Sequence, residues 1–151
     1  MGRVFERILT GCNGTPESDH AVEVAIALAA SVGAKMTLLG VVAPPSAESL
    51  AEGYALADPA KVKQRLNEQM TRMAEAAKAQ GVEIAIEMVD GDPEKQIEKR
   101  AVAENVDLIV VGHRNVSRLR HWLEHSTGEA LLNRAKTSVL VVHSPEKKGM
   151  V

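Results

Sequence analysis

Asp107-Leu-Ile-Val-Val-Gly112 is the stretch that decides the fold, because it sets four aliphatic residues in a row between a carboxylate and a glycine. A strand with one wet face alternates apolar and polar side chains, whereas an unbroken apolar run is the mark of a strand buried on both faces by helices. This segment is therefore the best candidate for a central parallel strand. Upstream, Val82, Ile84, Ile86 and Met88 alternate with Glu83, Ala85, Glu87 and Val89, the pattern of a strand with one wetter face near a sheet edge. Val4 to Thr10, Lys35 to Val42 and Ser138 to His143 read as three further strands, rich in apolar and β-branched residues.

Helical spacing fills the intervals. Thr15 and Pro16 occupy N-cap and first-turn positions, and Ala21, Val24, Ala25, Leu28 and Val32 then recur until Gly33. Asp58-Pro59 opens a second helix whose Val62, Leu66, Met70, Met73 and Ala77 share one face before Gly81. Asp92-Pro93 starts a third, carrying Ile97 and Ala101, and a fourth is expected from about Ser126 to Ala135, while Ala43 to Ala57 reads as a loop. Strands alternating with helices imply an α/β fold, a three-layer sandwich around a five-stranded parallel sheet. Ligands of such sheets bind beyond the carboxyl ends of the strands, where strand order reverses. The most turn-rich strand exits, Gly11 to Pro16 and Gly112 to Asn115, mark the expected cleft.

Composition narrows the function. With 151 residues, 45% hydrophobic and 25% charged, the chain reads as a single domain over 1–151, with an ordered core of about 4–144 and a short C-terminal tail. Lys and Arg number 18 against 20 Asp and Glu, so no overall field draws it to nucleic acid or to an anionic membrane. Phe5, Tyr54 and Trp122 are the only aromatics, too few for a base-stacking groove. The uncharged stretches Val24 to Ala34 and Met36 to Ala47 are shorter than a membrane span, and Glu6 interrupts any signal-peptide core, so a cytoplasmic location is expected. A single cysteine, Cys12, leaves no internal disulfide and no cysteine-built zinc site.

A strand exit, a glycine turn and a helix N-terminus together hold a phosphate well, and Gly112-His-Arg-Asn115 followed by Ser126-Thr127 fits that plan. No GxxxxGK[ST] motif is present, which argues against Walker-type hydrolysis. Ser126 and Glu129 also form a capping box, and Arg114, Arg118 and Arg120 also read as a solvated loop. His121 and His125 have ligand-pair spacing but no HExxH order and no clear third ligand, so no metal is expected. Cys12 reads as a small buried thiol, and Met70 and Met73 as core filling. The cleft offers Asn13, Thr15, Ser126 and Thr127 without an acid or base beside them, so no catalytic residue is expected.

From about Arg7 to His143 the chain resembles the universal stress proteins of the UspA type. The likeness is carried by Arg7-Ile8-Leu9 leading into Asn13-Gly14-Thr15, Leu39-Gly40-Val41-Val42, Gly91-Asp92-Pro93, Asp107 to Gly112, and Ser138-Val-Leu-Val-Val142 in register. The resemblance implies strand order 3-2-1-4-5 in the adenine nucleotide alpha hydrolase-like manner, a homodimer and, in one subgroup, ATP or AMP at the cleft. Carried over to this chain, the candidate nucleotide residues are Asn13, Val41 through its backbone, Gly112, Arg114, Asn115, Ser126 and Thr127. The subgroup's phosphate motif is Gly, two residues, Gly, nine residues, Gly, then Ser or Thr; here Asn115 and His125 replace the second and third glycines, and Asn13 replaces an aspartate. Asn is the least costly substitute where φ is positive, but the His125 side chain occupies ligand volume.

The resulting expectation is a non-catalytic stress-response protein that requires no cofactor and acts as a homodimer through contacts with a protein partner the sequence does not name. Its adenine-nucleotide cleft would be degenerate; the alternative is an ATP- or AMP-binding sensor using the same cleft. Val139, Leu140, Val141 and Val142 are the candidate dimer residues, because a closing strand without Pro, Lys or a bulge normally pairs with something.

Overall fold

A computed structural model describes residues 4–14, 16–42, 58–112 and 137–143. Five strands, β1 (Arg7–Cys12), β2 (Lys35–Val42), β3 (Ile84–Asp90), β4 (Leu108–Gly112) and β5 (Ser138–Val142), form one parallel sheet in the order β3-β2-β1-β4-β5. Helices α1 (Pro16–Val32) and α2 (Pro59–Ala79) cover one face, and α3 (Pro93–Ala103) covers the other. The chain steps outward from β1 to β3 under α1 and α2, then returns to β4 by way of α3. A change of direction along the sheet demands a change of face if every crossover keeps its right hand.

The apolar run behaves as its composition requires. Leu108, Ile109, Val110 and Val111 are all buried, with Leu108 and Val110 facing α1 and α2 and Ile109 and Val111 facing α3. At the opposite edge, β3 is only partly buried along its length, matching its alternating sequence. Asp107, just before β4, accepts the backbone N–H groups of Glu6 at 2.8 Å and Arg7 at 3.0 Å, so one carboxylate fixes where β1 begins beside β4.

Four readings of the sequence are corrected. The first strand does not start at Val4, which is 77% exposed, and it runs on through Gly11 and Cys12, which pair with Leu39 and Gly40 of β2. The third strand begins at Ile84 rather than Val82 and extends to Asp90. On α1 the fully buried stripe is Ala21, Val22, Ala25, Ile26 and Ala29, leaving Val24, Leu28 and Val32 at the margin of the core. On α2, Leu66, Met70, Ala74 and Ala77 are buried while Val62 is 37% exposed, because the helix start projects past the sheet face that its middle covers. Gly40 is where α2 comes closest: a Cβ there would stand 2.5 Å from Met70 Sδ and 3.3 Å from Leu66 Cδ2.

Candidate functional site

Strand order reverses between β1 and β4, the point at which sheets of this kind take ligands in a crevice beyond the carboxyl ends. The pairs Ile8 with Leu108 and Thr10 with Val110 set an offset that, continued, brings Cys12 level with Gly112. Cys12 pairs with Gly40 on its other side, and Gly112 pairs with Val142. Small residues thus end β1 and β4, and Gly40 stands beside Cys12 two residues before the end of β2. Thr10 ties the two central strands from within, donating its hydroxyl to Val110 O at 3.0 Å in the buried interior.

Of the sequence-predicted residues, Asn13 is exposed immediately past β1, Val41 is buried one residue before the end of β2, and Gly112 closes β4. These three are brought to the same end of the sheet. The Val41 side chain packs with Leu39, Ile109 and Val111 on the α3 face, so only its backbone is presented at the rim. Arg114, Asn115, Ser126 and Thr127 lie outside the described residues, as do Thr15, His121 and His125.

The β1–α1 turn is closed on itself. Gly14 adopts φ +85°, a region that favours glycine and lets the chain swing from strand into helix. The Asn13 N–H donates to Ser18 Oγ at 3.1 Å, and the Ser18 hydroxyl in turn reaches back toward Gly11 O at 3.5 Å. The Asn13 backbone donor is therefore engaged within the turn rather than aimed into the crevice.

Electrostatics around the turn follow from burial. The Cys12 thiol is pushed up chiefly by loss of solvent; hydrogen bonds from Gly14 and Ser18 work against this, and the nearby Asp19 carboxylate adds to it. A thiol held protonated is a poor nucleophile, which fits its reading as a packed side chain. Asp19 is also raised, first by burial and then by Glu23 one turn along α1. Its Oδ1 accepts from Gln69 Nε2 of α2 at 2.5 Å.

Ser18, Asp19 and Gln69 are the turn-organising residues that sequence reading missed. Ser18 carried a local signal, since a serine in the first turn of a helix is a recurrent partner for the amides preceding it. Gln69 carried none, because 50 residues separate it from its partner.

The Universal stress protein family model matches residues 5–143. A universal stress protein of Methanocaldococcus jannaschii is 29% identical over 146 residues, covering 96% of this chain and 86% of the relative. Among solved structures, a universal stress protein in complex with cAMP shares 26% identity at a TM-score of 0.59, covering 93% of this chain and 99% of that one. Universal stress protein UspA from Lactobacillus plantarum superposes with a TM-score of 0.59 at 22% identity, over 94% of this chain and 99% of that one. Sheet order 3-2-1-4-5, helices on both faces and a family match running from before β1 to the end of β5 agree, and the chain belongs to the Universal stress protein family.

Proposed function

We propose that the protein is a non-catalytic stress-response protein of a single domain, cytoplasmic, acting as a homodimer through protein contacts, with a cleft that does not retain a triphosphate. One observation carries the reading: the β1 exit spends its Asn13 amide inside the turn, on Ser18. A ligand phosphate or ribose meets an asparagine there instead of a carboxylate, and the Asn13 amide is already taken by Ser18. Chemistry at this exit would need a nucleophile with an adjacent base, and the thiol present is buried and held protonated. The dimer reading is supported by β5, which among the described residues pairs only with β4 and leaves Val139, Leu140 and Val141 half-buried.

A second reading, an adenine-nucleotide sensor, is favoured by the cAMP complex of the relative at 26% identity. A cyclic monophosphate carries one charge and asks less of a phosphate loop than ATP does. Val41 backbone would meet the base, while Gly112, with Arg114, Asn115, Ser126 and Thr127, would hold the single phosphate. Titration calorimetry with ATP, AMP and cAMP tests both readings. The loss of phosphate contacts worth about 3 kcal/mol weakens a micromolar site more than ~100-fold, so ATP is expected at millimolar affinity or not at all. A low-micromolar constant for ATP overturns the first reading; micromolar binding of cAMP or AMP establishes the second.

A further inference from the structure

The opening turns of α1, which follow the turn that ends β1, are tied to a second helix. Gln69, midway along α2, donates from Nε2 to Asp19 Oδ1 at 2.5 Å, and its Oε1 lies 3.7 Å from where a Cβ on Gly14 would stand. The same side chain lines a groove of about 390 Å³ between α1 and α2, so its amide bridges the two helices beside open space rather than inside packed core. Asp19 sits in the opening turns of α1, next to Ser18, whose hydroxyl takes the Asn13 amide. A fixed Asp19 therefore fixes Ser18, and Ser18 fixes the turn. Gly14 at φ +85° has many conformations to lose, so the turn needs this restraint more than an ordinary loop would.

The geometry points to Gln69 as a positioning residue: by anchoring Asp19 beside Ser18, which takes the Asn13 amide, it holds the β1 side of the crevice in the form that an adenine mononucleotide meets. The ligand half of this inference rests on the sensor reading given above. A ligand lying between the Val41 backbone and the Asn13 turn would span the β2 and β1 exits. Gln69 belongs to the helix that follows β2, yet acts on the turn that follows β1.

The test uses the full chain with Gln69→Ala and Gln69→Glu. Without ligand, hydrogen exchange by NMR reports the Asn13 amide directly, and Gln69→Ala should speed it about tenfold while Ile8 and Leu9 stay slow. Gln69→Glu places a second carboxylate against Asp19. It should loosen the turn at pH ~8 and recover toward wild type near pH ~5, where one proton is shared between the two groups. Among the described residues, Glu23 and its partner His20 on α1, Arg72 on α2 and the Cys12 thiol on β1 are ionisable groups about this pair; none is altered, and Gln69→Ala read at the same two pH values subtracts their effect. Unchanged exchange at Asn13, an increase spread equally to Ile8 and Leu9, or a Gln69→Glu variant indifferent to pH would each overturn the role. For the ligand half, cAMP titration of Gln69→Ala should show binding weakened about tenfold. Equal affinity in wild type and variant refutes the positioning of ligand. Wild type that binds no cAMP removes the sensor reading and its ligand half, and the exchange data then decide the hold on the turn.

Discussion

Leu140→Lys and Val141→Lys test the β5 edge from opposite sides. Leu140 lies on the α1 and α2 face and Val141 on the α3 face, both half-buried, and among the described residues β5 has β4 as its only partner. If a second β5 closes the edge about a two-fold axis, each substitution is felt twice. Completing the burial of a half-exposed Val or Leu is worth about 1 kcal/mol, so losing two such side chains removes about 2 kcal/mol. Two ammonium groups brought together across the axis add repulsion and desolvation of about 1–2 kcal/mol more. The sum, about 3–4 kcal/mol, raises the dimer dissociation constant by ~100- to 1,000-fold. Light scattering at tens of micromolar should find wild type as a dimer and at least one variant as a monomer. Circular dichroism and thermal melting must show that the monomer is folded, and the second position guards against a variant that fails because Leu140 also touches the core. Wild type that is monomeric at tens of micromolar, or two folded variants that both remain dimers, would refute the reasoning.

Three other outcomes are expected. Gly40→Ala forces a methyl against Met70 Sδ at 2.5 Å with Leu66 close behind, which should cost about 1–3 kcal/mol in urea unfolding; pairing it with Met70→Ala should recover part of that, and strict additivity of the two losses would show that no clash exists. His125→Gly restores the third glycine of the phosphate motif, so calorimetry should show ATP affinity rising markedly over wild type, and an unchanged constant would mean that the imidazole does not occupy ligand volume. Because burial holds the folded Cys12 thiol above its ordinary value, the unfolded chain releases that proton first as pH rises. The stability that depends on it is complete below about pH 8.5 and declines above, so urea unfolding at pH ~8 and pH ~10 should show a larger loss for wild type than for Cys12→Ala, and equal losses would contradict the buried thiol.

Asp107 to Gly112 could be read without help because burial on both faces writes itself into consecutive residues, and the alternation at Val82 to Val89 likewise announces an edge. The helix openings Asp58-Pro59 and Asp92-Pro93 were legible for a similar reason: the Asp58 carboxylate accepts the Ala60 amide within two residues of chain. Strand order was not in the pattern. It came from resemblance, and the tertiary structure carries it through the parallel ladders that flank β1. Gly11 and Cys12 look like a turn locally, yet they remain in β1, since ladder bonds to Leu39 and Gly40 outweigh the turn preference of a glycine. The candidate residues Asn13 and Gly112 were read from the strand exits and Val41 came from the resemblance, whereas the fate of the Asn13 amide was in neither. Local sequence determined which segments are strand or helix and how wet each one is, because those properties are set by neighbours within a few residues. The clamp of Asp107 on Glu6 and Arg7, the exposure of Val62 and the bridge from Gln69 to Asp19 were decided only by the packed molecule, since each depends on elements far apart in the chain that meet only when the sheet and its two helical layers close together.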